Sequence, residues 1–215
     1  VSCVGAGTAT TPGDPTVTGT LQVTSGTFEY GSGNDRLVLT AATAVLNIDG
    51  VNGTIKIYGG LNNNGSGSIN ISSGNLIFDC QRTDSGGDDF ASAAHMVDIR
   101  GAVNFTGGNM ILVDPSAYAI SSNVATLLFW DLSGADVFTG STIQFGDGVS
   151  TSPGGSADAF DVRTNNAGTY SLGDIIVNTA SGANRAVKFW NADGQFYVGG
   201  DITILNGASS ELDIN

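Results

Sequence analysis

The chain of 215 residues carries 20 acidic against 7 basic side chains, a formal net charge of −13, and is 40% hydrophobic with 32 glycines. That apolar content suffices for a core in one large domain or two small ones and excludes a disordered tail. The cations Arg36, Lys56, Arg82, Arg100, Arg163, Arg185 and Lys188 are scattered, which argues against nucleic acid or an anionic membrane surface, since both are bound by clustered positive charge. Glycine costs about 1 kcal/mol per helical position relative to alanine, so this composition disfavours long helices. Short β-branched and aromatic runs between Gly, Asn and Asp are instead what strands and tight turns require.

In chain order, residues 1–15, with "GAGTATTPGDP" at 5–15, read as an N-terminal linker or unpaired cap, and 16–215 as a single domain. No apolar run approaches the roughly 18 residues that span a bilayer, and no secretory leader is present, so any signal peptide is expected to have been removed or to lie outside this sequence. The dominant feature is a five-residue template: Gly, a small polar residue, apolar, any, apolar. It occurs as "GTFEY" from Gly26, "GTIKI" from Gly53, "GNLIF" from Gly74, "GNMIL" from Gly108, "GSTIQF" from Gly140 with one extra residue, "GDIIV" from Gly173 and "GDITI" from Gly200. The mean spacing is about 29 residues, within the range of repeat architectures.

Between successive copies lie two further short apolar runs, such as "RLVL" (36–39) with "AVLNI" (44–48), "MVDI" (96–99) with "AVNF" (102–105), and "AVKF" (186–189) with "QFYV" (195–198). Three strands per period and no helix-length segment predict an all-β parallel β-helix, a β-solenoid of about seven three-strand coils. At about 4.8 Å per coil this makes a rod roughly 34 Å long. The alternative is a β-sandwich or jelly roll, which shares the frequent turns but does not call for a template repeated along the whole chain. The template glycine is expected at a corner, where a positive φ or the close approach of the neighbouring coil excludes a Cβ.

Two breaks in phase read as inserted loops, at 79–94 and 146–158. At the other end "SSELDIN" (209–215) reads as the first strand of a further coil. A bare strand edge there is expected either to continue in a longer chain or to self-associate end to end.

The stretches "LNIDGVNGTIKIYGG", "INISSGNLIFD" and "VNFTGGNMILVD" resemble the Gly- and Asn-rich β-helical regions of large bacterial surface proteins: autotransporter passengers, filamentous-haemagglutinin-like adhesins and type IX secretion clients of Bacteroidetes. The resemblance is one of repeat style over residues 16–215. It implies an extracellular or cell-surface location and a structural or adhesive role, with surface glycans among the partners, and it transfers no functional residue.

Reactive groups are densest at 79–100, "DCQRTDSGGDDFASAAHMVDIR", which holds Asp79, Cys80, Arg82, Asp84, Asp88, Asp89, Asp98, Arg100 and the single histidine, His95. Three readings compete there. The plainest is a solvated acidic loop. The second is a calcium site on Asp84, Asp88 and Asp89, whose oxygens lie within six residues and suit a hard cation. The third is a polysaccharide-binding or polysaccharide-degrading face, because "GDD" at 87–89 with His95 and Arg100 is similar to the acid–base set of pectin-degrading β-helices.

Trp130 and Trp190, following two equivalent strands, are candidates for stacking on sugars, although turn-edge aromatics more often pack on the next coil. A lone histidine builds no zinc site, and no Gly-x-Ser-x-Gly elbow stands on a strand-to-helix turn. Cys3 and Cys80 fit either one bridge or two free thiols. Asn52, Asn64, Asn70 and Asn104 stand in N-x-S/T sequons. The expectation is therefore a non-enzymatic structural or adhesive segment with no cofactor other than the candidate calcium.

Overall fold

In a computed structural model of the chain, the described residues are 2–4, 7–9, 16–31, 36–63, 67–79, 95–114, 126–129, 138–149, 160–164, 168–179, 185–190, 195–205 and 210–214. Among them every regular element is a strand. The first are β1 (Ser2–Val4), β2 (Gly7–Ala9), β3 (Thr16–Val17), β4 (Thr20–Tyr30) and β5 (Arg36–Leu39). Next come β6 (Val45–Ile57), β7 (Gly60–Asn62), β8 (Ser68–Ile71), β9 (Asn75–Phe78) and β10 (Val97–Ile99). β11 (Ala102–Phe105), β12 (Asn109–Leu112), β13 (Leu127–Phe129), β14 (Phe138–Phe145) and β15 (Phe160–Thr164) follow. The last are β16 (Thr169–Val177), β17 (Arg185–Trp190), β18 (Gln195–Val198), β19 (Ile202–Ile204) and β20 (Ser210–Ile214).

These strands form a 12-stranded and an 8-stranded sheet. Every described strand pair is parallel, and strands that neighbour in space lie a repeat apart in sequence, as with Leu46 beside Ile69 and Ile69 beside Val103. Parallel pairing through distant segments excludes hairpins, which join antiparallel neighbours.

All seven template copies stand side by side in the 12-stranded sheet. Phe28, Ile55, Leu76, Met110, Ile143, Ile175 and Ile202 are successive register partners. Tyr30, Ile57, Phe78, Leu112, Phe145, Val177 and Ile204 form a second row two residues on. Because side chains alternate across a strand, both rows face the same way, into the core. A further inner row on this sheet runs from Val23 through Ile48 and Ile71 to Phe105. The 8-stranded sheet supplies Leu37, Leu61, Val97, Leu127, Val162 and Phe189. Side chains of both sheets belong to one buried cluster. Edge-to-face aromatic pairs join the sheets, Phe129 with Phe138 at 5.3 Å and Phe145 with Phe160 at 5.6 Å between ring centres.

Two details differ from the sequence-based expectation. The template does not begin a new strand after a corner at Gly26 or Gly53; β4 and β6 run through these positions, and the change of direction is taken up by a register shift between Val23 and Ser25. A bulge bends the strand while keeping most of the ladder, which a full break would forfeit. β14 and β16 likewise run through Gly140 and Gly173, whereas Gly74, Gly108 and Gly200 stand between separate strands, and Gly108 illustrates why. Its φ is +75°, and a Cβ there would lie 2.7 Å from the Gly74 carbonyl oxygen. Within residues 1–15, β1 and β2 form ladders with β4, so these two segments are paired rather than free. As expected, β20 within 209–215 is a strand, and it pairs with β17.

Candidate functional site

The outer face of the 12-stranded sheet is a set of polar ladders. Asn109 Nδ2 donates to Asn75 Oδ1 at 2.9 Å, and Asn75 Nδ2 to Thr54 Oγ1 at 3.5 Å. These side chains satisfy one another down the stack, as in other in-register parallel ladders. Lys56 pairs with Asp79 at 2.7 Å and lies 4.6 Å from the centre of the Tyr58 ring. Burial is the largest influence and works against the Lys56 charge, but the bond to Asp79, the Asp79 charge and Tyr58 together outweigh it and the pKa is raised.

The denser chemistry lies on the 8-stranded sheet. In β10, Val97 and Ile99 enter the core, so Asp98 between them points to the other face; in β15, Phe160 and Val162 do the same to Asp161. Both carboxylates are nonetheless buried, at 4% and 2% exposure. A buried carboxylate requires a partner, and each has an arginine two residues along its own chain, on the same side.

Arg100 Nε donates to both Asp98 oxygens at 2.8 Å, and Nη2 donates to Oδ2 at 2.6 Å. Arg163 Nε and Nη2 reach Asp161 Oδ2 at 2.8 and 2.6 Å. Asp98 and Arg163 share a register position, separated by Leu128 of β13. The two pairs therefore lie about 10 Å apart across the ladder, two strand spacings.

Asn63, fully buried, locks the first pair to the neighbouring strand: its Oδ1 accepts from the Arg100 backbone N–H, and its own N–H donates to the Asp98 carbonyl at 3.3 Å. Thr126 does the same between β10 and β15, donating its N–H to the Asp161 carbonyl at 2.9 Å and accepting from the Val97 N–H at 3.0 Å.

Three groups here have shifted protonation. The bond to Asp98 raises the pKa of Arg100. Burial lowers His95, with repulsion from Arg100 and Arg163 adding to it and Asp98 opposing it. Burial also raises Asp161, against the attraction of Arg163, and its Oδ1 is buried without a hydrogen-bond partner. His95, Asp98, Arg100, Asp161 and Arg163 thus form one electrostatic neighbourhood. It holds a carboxyl biased toward its protonated form and a histidine biased toward its neutral form. Those are the states of a general acid and a base, although each carboxylate is engaged by its own guanidinium.

Of the residues singled out from sequence, His95, Asp98 and Arg100 meet in this neighbourhood. Asp84, Asp88, Asp89, Cys80, Arg82 and Trp130 lie outside the described residues. Trp190 ends β17, in register with Arg163. Asp147, in the "GDG" turn, accepts the Val149 N–H at 2.8 Å, ordinary turn chemistry. Among the described residues no three His, Cys, Asp or Glu side chains gather as a metal site.

Asp161, Arg163, Asn63 and Thr126 were not apparent from the segment at 79–100. A signal existed in the pair "VDIR" (97–100) and "FDVR" (160–163), which repeats apolar, Asp, apolar, Arg. Comparison with family models, curated proteins and solved structures finds no match.

Proposed function

We propose that the chain is a parallel β-solenoid of about seven three-strand coils that serves as a rigid spacer, a structural or adhesive segment of a bacterial extracellular surface protein or filament. The observation that carries this reading is the unbroken register of all seven template copies in one sheet. In such a stack each period buries its apolar side chains against its neighbours, so length is added without a new core and stiffness comes from the continuous hydrogen-bond ladder. The acidic, lysine-poor composition and the repeat style support a location outside the cell.

The test is to delete one period. Removing residues 75–108 joins Gly74 to Asn109, whose neighbours already occupy one register column, and brings β7 next to β13. Small-angle scattering should show a folded all-β particle shorter by about 4.8 Å. Unfolding of the deletion variant, or an unchanged length, would overturn the proposal.

A second reading follows from Asp161. A buried carboxyl held toward its protonated form, beside His95 and two arginines, suits an acid–base role on an acidic polysaccharide. Release of reducing ends from such polymers, abolished by Asp161→Asn, would favour it over the spacer reading.

A further inference from the structure

Two rows of side chains on the template strands point away from the core, and one of them is not polar. It passes from Lys56 through Ile77, Ile111 and Gln144 to Ile176. The three isoleucines are half-buried and stand outside the core cluster. Each lies between two core residues, in "LIF" (76–78), "MIL" (110–112) and "IIV" (175–177), so β9, β12 and β16 carry unbroken apolar runs. A strand with water on its outer face alternates apolar with polar. Continuous apolar runs mark parallel strands that are covered on both faces.

Around the isoleucines this face is uncharged. The template segments of β9, β12 and β14 turn Asn75, Ile77, Asn109, Ile111, Thr142 and Gln144 outward. Charge returns only at the borders, with Glu29 and Lys56 on one side and Asp174 on the other. An apolar centre without charge inside a polar rim is the composition of an interface core. In a chain of net charge −13 it is also where two copies can meet without opposing like charges.

We propose that this face docks on the same face of a second copy, in a twofold dimer whose axis runs parallel to the strands between β9 and β12. The rotation lays Ile77 of each copy on Ile111 of the other and Asn75 on Asn109, and it sets Lys56 opposite Gln144. The Gln144 Nε2 donates to the Gly146 carbonyl at 2.7 Å, which leaves Oε1 as acceptor for the lysine. Four isoleucines then form a dry centre between sheets about 10 Å apart. A self-complementary contact of this kind closes at two copies. Across six strands the face measures roughly 17 Å by 29 Å, so the pair buries about 1,000 Å² in total, the lower limit for a specific interface. The pairing needs only the ladder of template strands, so it and the spacer reading can fail separately.

Sedimentation velocity from about 2 to 200 µM tests it, with half-association expected at roughly 10–100 µM for an interface of that size. Ile111→Lys should be monomeric over the whole range. Asn104→Lys, on an exposed position of the same sheet outside the patch, should leave the dimer unchanged.

Gln144 gives the sharper reading, because its expected effects run against those of net charge. Gln144→Glu faces Lys56 of the other copy and should tighten the dimer about threefold, although it makes both copies more negative. Gln144→Lys should weaken it about threefold, although it makes them less so. Far-UV circular dichroism and thermal unfolding establish that the variants fold, and if Ile111→Lys does not, the two Gln144 variants decide alone. A monomeric unaltered chain, a dimer that withstands Ile111→Lys, or Gln144 variants that follow net charge overturn the proposal. So does a folded monomer that loses stability on Ile111→Lys, since a segment of the same chain would then cover the row.

Discussion

On the 12-stranded sheet the register position just past the template glycine, one residue on except at Gly140 where it is two, repeats down the ladder as Thr27, Thr54, Asn75, Asn109, Thr142 and Asp174, and neighbours can bond to one another. On the 8-stranded sheet the register position shared by Val38, Asn62, Asp98, Leu128 and Arg163 changes character at every strand. Both sheets contribute to one core, so the inner faces obey one rule while the outer faces diverge. Like residues stack in one place, and charged residues find partners along their own strand in the other. The regular sheet carries the architecture, and the irregular one holds the two Asp–Arg pairs with buried carboxylates.

If close approach at the template glycines maintains the regular sheet, the largest effect should come from Gly108→Val. The positive φ and the contact with the Gly74 carbonyl cannot both be relieved, and a loss of about 3–5 kcal/mol in chemical denaturation is expected. Gly19→Ala is the control: nothing lies within 4 Å of the added Cβ, and the change should stay within about 0.5 kcal/mol.

The joint between the sheets comes next. Phe138 packs edge-to-face on Phe105 and Phe129 and is 1% exposed, so Phe138→Ala should cost about 3–4 kcal/mol, and Phe138→Leu less than half of that. An equal loss for both would place the cost in the rings' mutual geometry rather than in the volume they fill.

Ion pairs on the irregular sheet should rank third. Asp98→Asn removes the charge and one acceptor oxygen from a pair whose carboxylate is buried and whose guanidinium is 31% exposed, so solvent screens part of the effect and about 1–3 kcal/mol is expected. Lys56→Met on the regular sheet should cost only about 0.5–1 kcal/mol, because the carboxylate it leaves, Asp79 at 16% side-chain exposure, is more open to water than Asp98 at 5%. A Lys56 effect larger than that of Asp98 would reverse the contrast between the two outer faces.

The smallest effects are pH-dependent and of opposite sign. His95 has a lowered pKa in the fold, so the unfolded chain takes up the proton first. Stability should fall as pH drops from about 6.5 toward the folded value, and His95→Gln should flatten that segment. Asp161 has a raised pKa, so its contribution should fall as pH rises from the ordinary carboxylate value through the folded one, and Asp161→Asn should remove that slope. Denaturation curves across pH 4–8 for the two variants would separate the terms.

Much of the regular sheet was legible in the sequence because a template of Gly, polar, apolar, any, apolar carries both the strand period and the close approach. The runs "RLVL" at 36–39 and "AVNF" at 102–105 emerge as β5 and β11 with their expected bounds. The segments "FWDLSGADVF" (129–138) and "FWNADGQFYV" (189–198) echo each other in sequence, and the register follows that echo only in part. Phe138 and Val198 do lie in one row, through Leu172, but Phe129 aligns with Thr164 while Phe189 aligns with Val162. Insertions between strands move the register by two residues without changing which face a side chain takes, and period-two alternation is blind to such a slip. The candidate site was half legible for a related reason. Composition draws attention to His95, Asp98 and Arg100, but Asp161 and Arg163 lie more than 60 residues away and become neighbours only when β13 is inserted between β10 and β15.

By itself the sequence determined the strand content, the apolar rows and the positions where no Cβ fits, because these follow from local alternation and backbone sterics. Only the tertiary structure decided which strands neighbour one another and that the two Asp-x-Arg pairs share one buried face. Those properties belong to the stacking of distant segments, where register and burial are set jointly by several strands and no single stretch of chain carries the information.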